Sequence, residues 1–238
     1  MNPTKFTVLA VAQRKLPQVK PYKGHCLDLC TIKLLLIVVR TVGAPGDQGC
    51  KESAYMSLVI AAISKDNDII VCGEGRSVNT KTKEIVSEDT KKVFKINSLV
   101  IIAHTGFQRV SENLVNHLKE VFPELIKWNV KDIYEESLKY QQEHYNKDED
   151  LQFLIAGYEC NGTPHLYVIN NGPYCAVGLD FKSGKTISLG DDLCKLKFDK
   201  ENDNIFDIEE KIRILIEERT KINPFINNNI ITEYLSSF

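Results

Sequence analysis

From Ser57 to Gly106 the apolar residues stand in continuous blocks; beyond that they shift to helical spacing. Two blocks, SLVIAAIS (Ser57–Ser64) and DIIVCGEG (Asp68–Gly75), are joined by the polar Lys65-Asp66-Asn67. Unbroken apolarity of that length predicts strands covered on both faces, and the short polar break predicts a hairpin. The pattern repeats in KKVFKI (Lys91–Ile96) and LVIIAHTG (Leu99–Gly106), turning at Asn97-Ser98. Val110, Leu114, Leu118 and Val121 then recur on one helical face, and Pro123 follows. A second helix is predicted over Asn129–Tyr145, through Val130, Ile133, Leu138 and Tyr145. Strands return at Leu151–Glu159 and Pro164–Asn170, turning at Asn161-Gly162, with short ones at Ala176–Leu179 and Thr186–Leu189. A last helix spans Asp207–Lys221, with Ile208, Ile212, Leu215 and Ile216 on one face.

Strands, two helices, strands, helix: with hairpin connections this order predicts an α+β fold rather than alternating βαβ units. Sheets apolar on both faces need cover on both, which points to a four-layer αββα sandwich.

Composition divides the chain. The 238 residues carry a formal net charge of −2, which offers no general attraction for nucleic acid or membrane. Residues 1–55, however, hold eight Lys/Arg against Asp28, Asp47 and Glu52, and four of the eight prolines. The two expected units are therefore 1–55, an extension, propeptide or mis-assigned start, and 56–238, the folded domain. Met56, the sole methionine besides Met1, stands at the change. The apolar run Leu34–Val39 would span about 9 Å as helix, far short of a bilayer. Seven irregularly spaced cysteines suit a reducing compartment, and the expected location is the cytoplasm.

The ordered set of Ser57 at the head of a strand, GEGR (Gly73–Arg76), KKVFKI, IIAHTG and FLIAGYECNGTPHLYVINNG (Phe153–Gly172) resembles the proteasome β-subunit family. That family, which includes the peptidase subunit of the bacterial ATP-dependent ring protease, comprises N-terminal nucleophile hydrolases with the αββα fold. The resemblance implies that Ser57 is the nucleophile, where the family normally has threonine. Its own α-amino group would act as base, a role suited to a pKa of about 7.7–8.0. Lys92 would lower that amine's pKa, and Glu74 would hold Lys92 in an ion pair. The Gly106 N–H would donate to the oxyanion, a contact worth roughly 3–4 kcal/mol. Asp191, in LGDD, stands where the family has a supporting serine, and Glu74 replaces the usual aspartate.

The resemblance thus implies a hydrolase of peptide or other amide bonds, a homo-oligomer of which a ring is one form, and no cofactor or metal. An ATPase partner has no signal of its own in the sequence. The mechanism needs Ser57 as the free N-terminus; Ala54-Tyr55-Met56 lack the glycine that usually precedes the family's cleavage point, so initiation at Met56 is the expected route. The alternative is a catalytically inactive proteasome-like scaffold. Other chemistry reads weakly. GLDFKSGKT (Gly178–Thr186) misses phosphate-loop spacing by one residue and precedes a strand-like run. HCLDLC (His25–Cys30) lacks a second ligand pair. His104, on the strand near Gly106, is expected as a core histidine with its hydrogen bonds satisfied, contact with the active site being the alternative.

Overall fold

The computed structural model describes residues 57–79, 81–122, 128–146, 151–171, 175–182, 186–190, 196–199 and 201–237. The extension 1–55, Met56, the HCLDLC run and Asp191 lie outside the described residues.

Both predicted hairpins form. Strands β1 (Leu58–Ile63) and β2 (Ile69–Glu74) pair antiparallel, Val59 facing Gly73 and Ile63 facing Ile69. A two-stranded excursion, β3 (Ser77–Val78) and β4 (Ile85–Ser87), leads to β5 (Val93–Lys95) and β6 (Val100–Gly106). Helices α1 (Gln108–Val121) and α2 (Val130–Glu143) follow. Strands β7 (Leu151–Tyr158), β8 (Pro164–Asn171), β9 (Ala176–Lys182) and β10 (Thr186–Gly190) come next. Helix α3 (Ile205–Thr220) and strand β11 (Ile230–Leu235) complete the chain. One sheet runs β10-β1-β2-β11 and the other β5-β6-β7-β8-β9, every described pairing antiparallel.

The pleat explains the layers. Alternate residues of a strand face opposite sides. In β1, Val59, Ala61 and Ile63 join Ile101, Ala103 and Leu154 of the other sheet in the inter-sheet core. Leu58, Ile60 and Ala62 turn the other way, onto Ile208, Ile212 and Ile216 of α3. On the far side Ile102, Phe153 and Ile155 pack beneath Leu114 and Leu118 of α1 and Ile133 of α2. Each fully buried aliphatic side chain contributes about 1.5–3 kcal/mol, so strands apolar throughout are what two covered faces require. The α+β, four-layer αββα arrangement is the observed one.

Some boundaries move. Helix α3 begins two residues early because Asn204 caps it: its side chain accepts from Phe206 and Asp207 N–H, and Asp207 answers the Asn204 N–H at 2.9 Å. Helix α2 starts the same way, at Asn129 and Asp132. Strand β9 continues to Lys182 instead of stopping at Leu179, carried by pairing with β8 that brings Phe181 opposite Leu166. Gly178, proposed and set aside as the first glycine of a phosphate loop, lies within this strand opposite Ile169. Strands β3, β4 and β11 had no sequence prediction. Among the described residues no helix is long and apolar enough to cross a membrane.

Candidate active site

Several element ends meet where β1 begins. Ser57 precedes β1 and is buried, with 9% of its surface exposed. Leu58 pairs with Gly190 at the end of β10, and Val59 with Gly73 near the end of β2. Glu74 closes β2, Lys92 immediately precedes β5, and Gly106 closes β6.

Glu74 is fully buried and Lys92 nearly so. Their side chains form an ion pair. The carboxylate also accepts the Leu58 N–H at 3.2 Å and the Arg76 N–H at 2.7 Å, while the Lys92 ammonium donates to the Arg76 carbonyl at 2.5 Å. Burial is the dominant influence on both groups. It pushes the Glu74 carboxyl above its ordinary range and the Lys92 ammonium below its own; their mutual attraction opposes both shifts. The hydrogen bonds around the pair are what make two buried charges tolerable. Gly73 explains how β5 comes so close. A Cβ there would meet Val93 Cγ2 at 2.8 Å, so a side chain would force Val93, the residue after Lys92, to shift, while Lys92 Cβ at 3.5 Å would be in ordinary contact.

The turn carrying Glu74 is held from outside. Asn227, just ahead of β11, accepts the Gly75 N–H at 3.0 Å and donates to the Glu88 carboxylate at 2.7 Å. Glu88 in turn receives Arg76 Nε at 2.9 Å. Gly106 adopts a φ of +92° as β6 ends, one residue before the Phe107 cap of α1.

Gly190 lies on the other side of Ser57. Its φ is +91°, and a Cβ there would fall 1.9 Å from the Ser57 carbonyl oxygen. Only glycine satisfies both constraints. The Gly190 N–H donates to Gln152 Oε1 at 3.0 Å, and the Thr105 hydroxyl donates to the same oxygen at 3.3 Å.

The structure thus gathers Ser57, Glu74 and Lys92 through Leu58, and brings the strand ending in Gly106 to the same end of the sandwich through Thr105 and Gln152. His104 is buried on β6, its main-chain N–H donating to the Lys92 carbonyl at 3.0 Å and its ring stacked on Phe94 at 6.0 Å. Its ring nitrogens have no hydrogen-bond partner among the described residues. Burial first, and the Lys92 charge second, bring the imidazole down to about 4. Among the described residues no cluster of His, Cys, Asp and Glu could hold a metal ion.

Sequence reasoning passed over Gly190, Gln152 and Asn227. Gln152 carried a signal: it is the one strongly polar residue in the apolar run LQFLIAGY. Asn227, in a run of asparagines, carried none.

The chain matches no curated protein sequence. The family model described as Proteasome subunit matches residues 57–178, just over half of the chain, and that match starts on Ser57. Among solved structures, eukaryotic HslV from Trypanosoma brucei aligns over 75% of this chain and 99% of its own, with a TM-score of 0.56 and 14% identity. At that identity the likeness speaks for the fold alone. The chain belongs to the proteasome subunit family and has its N-terminal nucleophile hydrolase fold.

Proposed function

We propose that this protein hydrolyses peptide or other amide bonds, with Ser57 as nucleophile once it is the free N-terminus. One observation carries the reading: a fully buried carboxylate, Glu74, grips both the Lys92 ammonium and the N–H of the residue after Ser57. The start of the family match on Ser57 supports it.

In this mechanism the Ser57 hydroxyl attacks the substrate's carbonyl carbon and passes its proton to the Ser57 α-amine. The Gly106 N–H donates to the developing oxyanion. The ammonium then delivers the proton to the leaving nitrogen as the C–N bond breaks, leaving an ester on Ser57. Water adds with the amine again as base, releasing a carboxylic acid and restoring the serine. Lys92, held by Glu74, raises the local positive potential and keeps the amine neutral near pH 7. The working form is a homo-oligomer, a ring being one arrangement; the thiols of Cys72 and Cys160 suit a reducing, cytoplasmic setting.

The test is Ser57→Ala against a panel of fluorogenic peptide amides, on chains beginning at residue 57. Hydrolysis that falls at least about a hundredfold supports the reading. Equal rates in the two proteins sink it and leave the inactive scaffold as the better description.

A further inference from the structure

We propose that Gln152 is a positioning residue of this site, its amide oxygen setting the spacing between Ser57 and the Gly106 turn. The inference rests on the Ser57 reading above and goes beyond it to a residue that neither the motif nor the ion pair includes.

Gln152 lies on β7, in the sheet opposite Ser57's own. Its side chain crosses to Gly190 of the other sheet, whose main-chain N–H can only donate; the group facing it is therefore the amide oxygen. That oxygen takes a second proton from Thr105, the residue before Gly106 and the register partner of Gln152. One acceptor therefore links two donors that belong to the two halves of the site.

On one side is Gly190. Its backbone packs so closely on the Ser57 carbonyl that a methyl group would not fit, and Leu58 is its strand partner. Fixing the Gly190 N–H fixes the wall against which Ser57 rests. On the other side is Thr105, the last residue before Gly106, whose N–H the proposed mechanism assigns to the oxyanion. If the oxygen is lost, the two sheets still share their apolar core, but these ends are free to drift. Misplacement of about 1 Å between reacting groups can cost on the order of a hundredfold in rate.

A residue that merely ties two sheets together would change stability and leave turnover per folded molecule alone. The experiment therefore measures kcat and KM separately, with thermal midpoints, for chains beginning at Ser57. Gln152→Met keeps length and removes the acceptor; kcat is expected to fall about ten- to a hundredfold with KM within about twofold. Gln152→Glu keeps an acceptor oxygen and, assayed above pH 7, is expected to hold kcat within about threefold of the parent. Thr105→Val removes only the second donor and is expected to lower kcat about threefold. Should Gln152→Met fail to fold, Thr105→Val decides.

Unchanged kcat in Gln152→Met, or in Thr105→Val where that variant decides, overturns the positioning role while leaving the nucleophile reading intact. A fall in Gln152→Glu as deep as in Gln152→Met also overturns it, since the acceptor would then be irrelevant. A parent protein no more active than Ser57→Ala overturns the nucleophile reading itself, and the positioning role with it.

Discussion

Strand β7 is tied across the sandwich at both ends, and the ties differ in kind. At one end the buried Tyr158 directs its hydroxyl toward the carbonyls of Asn67, at 2.8 Å, and Leu235, at 3.1 Å, in the other sheet's half of the molecule. At the other end Gln152 receives the Gly190 N–H. The Tyr158 tie uses a neutral donor and main-chain acceptors, a cheap way to satisfy polar groups in an apolar interior. The Gln152 end borders the start of β1, where Glu74 and Lys92 are buried as charges. Stability does not ask for such a pair, since well-packed apolar residues of similar volume usually serve as well or better. On the proposed reading, the Ser57 end serves the chemistry and the Tyr158 end only holds the two sheets together.

The largest effect is expected from splitting the ion pair. Lys92→Met strands a buried carboxylate and should cost about 3–5 kcal/mol in urea unfolding. Combining it with Glu74→Gln should recover much of that stability and none of the hydrolysis. Recovery of both would erase the distinction between the two ends. Gly190→Ala comes next. With a positive φ and no room beside Ser57, it should lower kcat about a hundredfold by displacing Ser57. An alanine variant with parental kcat would show that this wall does not constrain the nucleophile.

A pH effect of intermediate size follows from His104. Its folded-state pKa, about 4, lies below the ordinary 6.5. The folded protein therefore binds fewer protons than the unfolded chain between these values. The resulting stability is fully present above pH 6.5 and is lost as pH falls toward 4, about 2 kcal/mol of it by pH 5. His104→Phe should flatten that part of the pH–stability curve. Identical curves for parent and variant would show that the imidazole is not held neutral. The smallest effect is expected at the holding end: Tyr158→Phe should cost about 1 kcal/mol in stability and leave kcat unchanged. A changed kcat there would contradict the division of labour between the two ends.

The four layers were legible because strands covered on both faces leave unbroken apolar runs, as in Leu58–Ile63 and Val100–Gly106. Strand β11 was not, for the opposite reason. Five of the six residues of Ile230–Leu235 are only partly buried, at a sheet edge, and a run of asparagines precedes them. Pairing with β2, which sequence pattern alone does not reveal, makes this segment a strand. In the site, Glu74 and Lys92 could be named from their motifs because each motif sits at a strand end. The Gln152–Gly190 contact joins residues 38 apart on different sheets. Nothing in the local pattern at either position points to the other.

The central claim is that the Ser57 amine is the base, and the most direct measurement compares two purified chains, one beginning at Ser57 and one retaining a single residue ahead of it. Intact mass and N-terminal sequencing verify each, and the same fluorogenic amides report turnover. The account predicts hydrolysis by the chain beginning at Ser57 and at least about a hundredfold less by the extended chain, whose first nitrogen is an amide and cannot take the proton. Equal turnover by the two would contradict it.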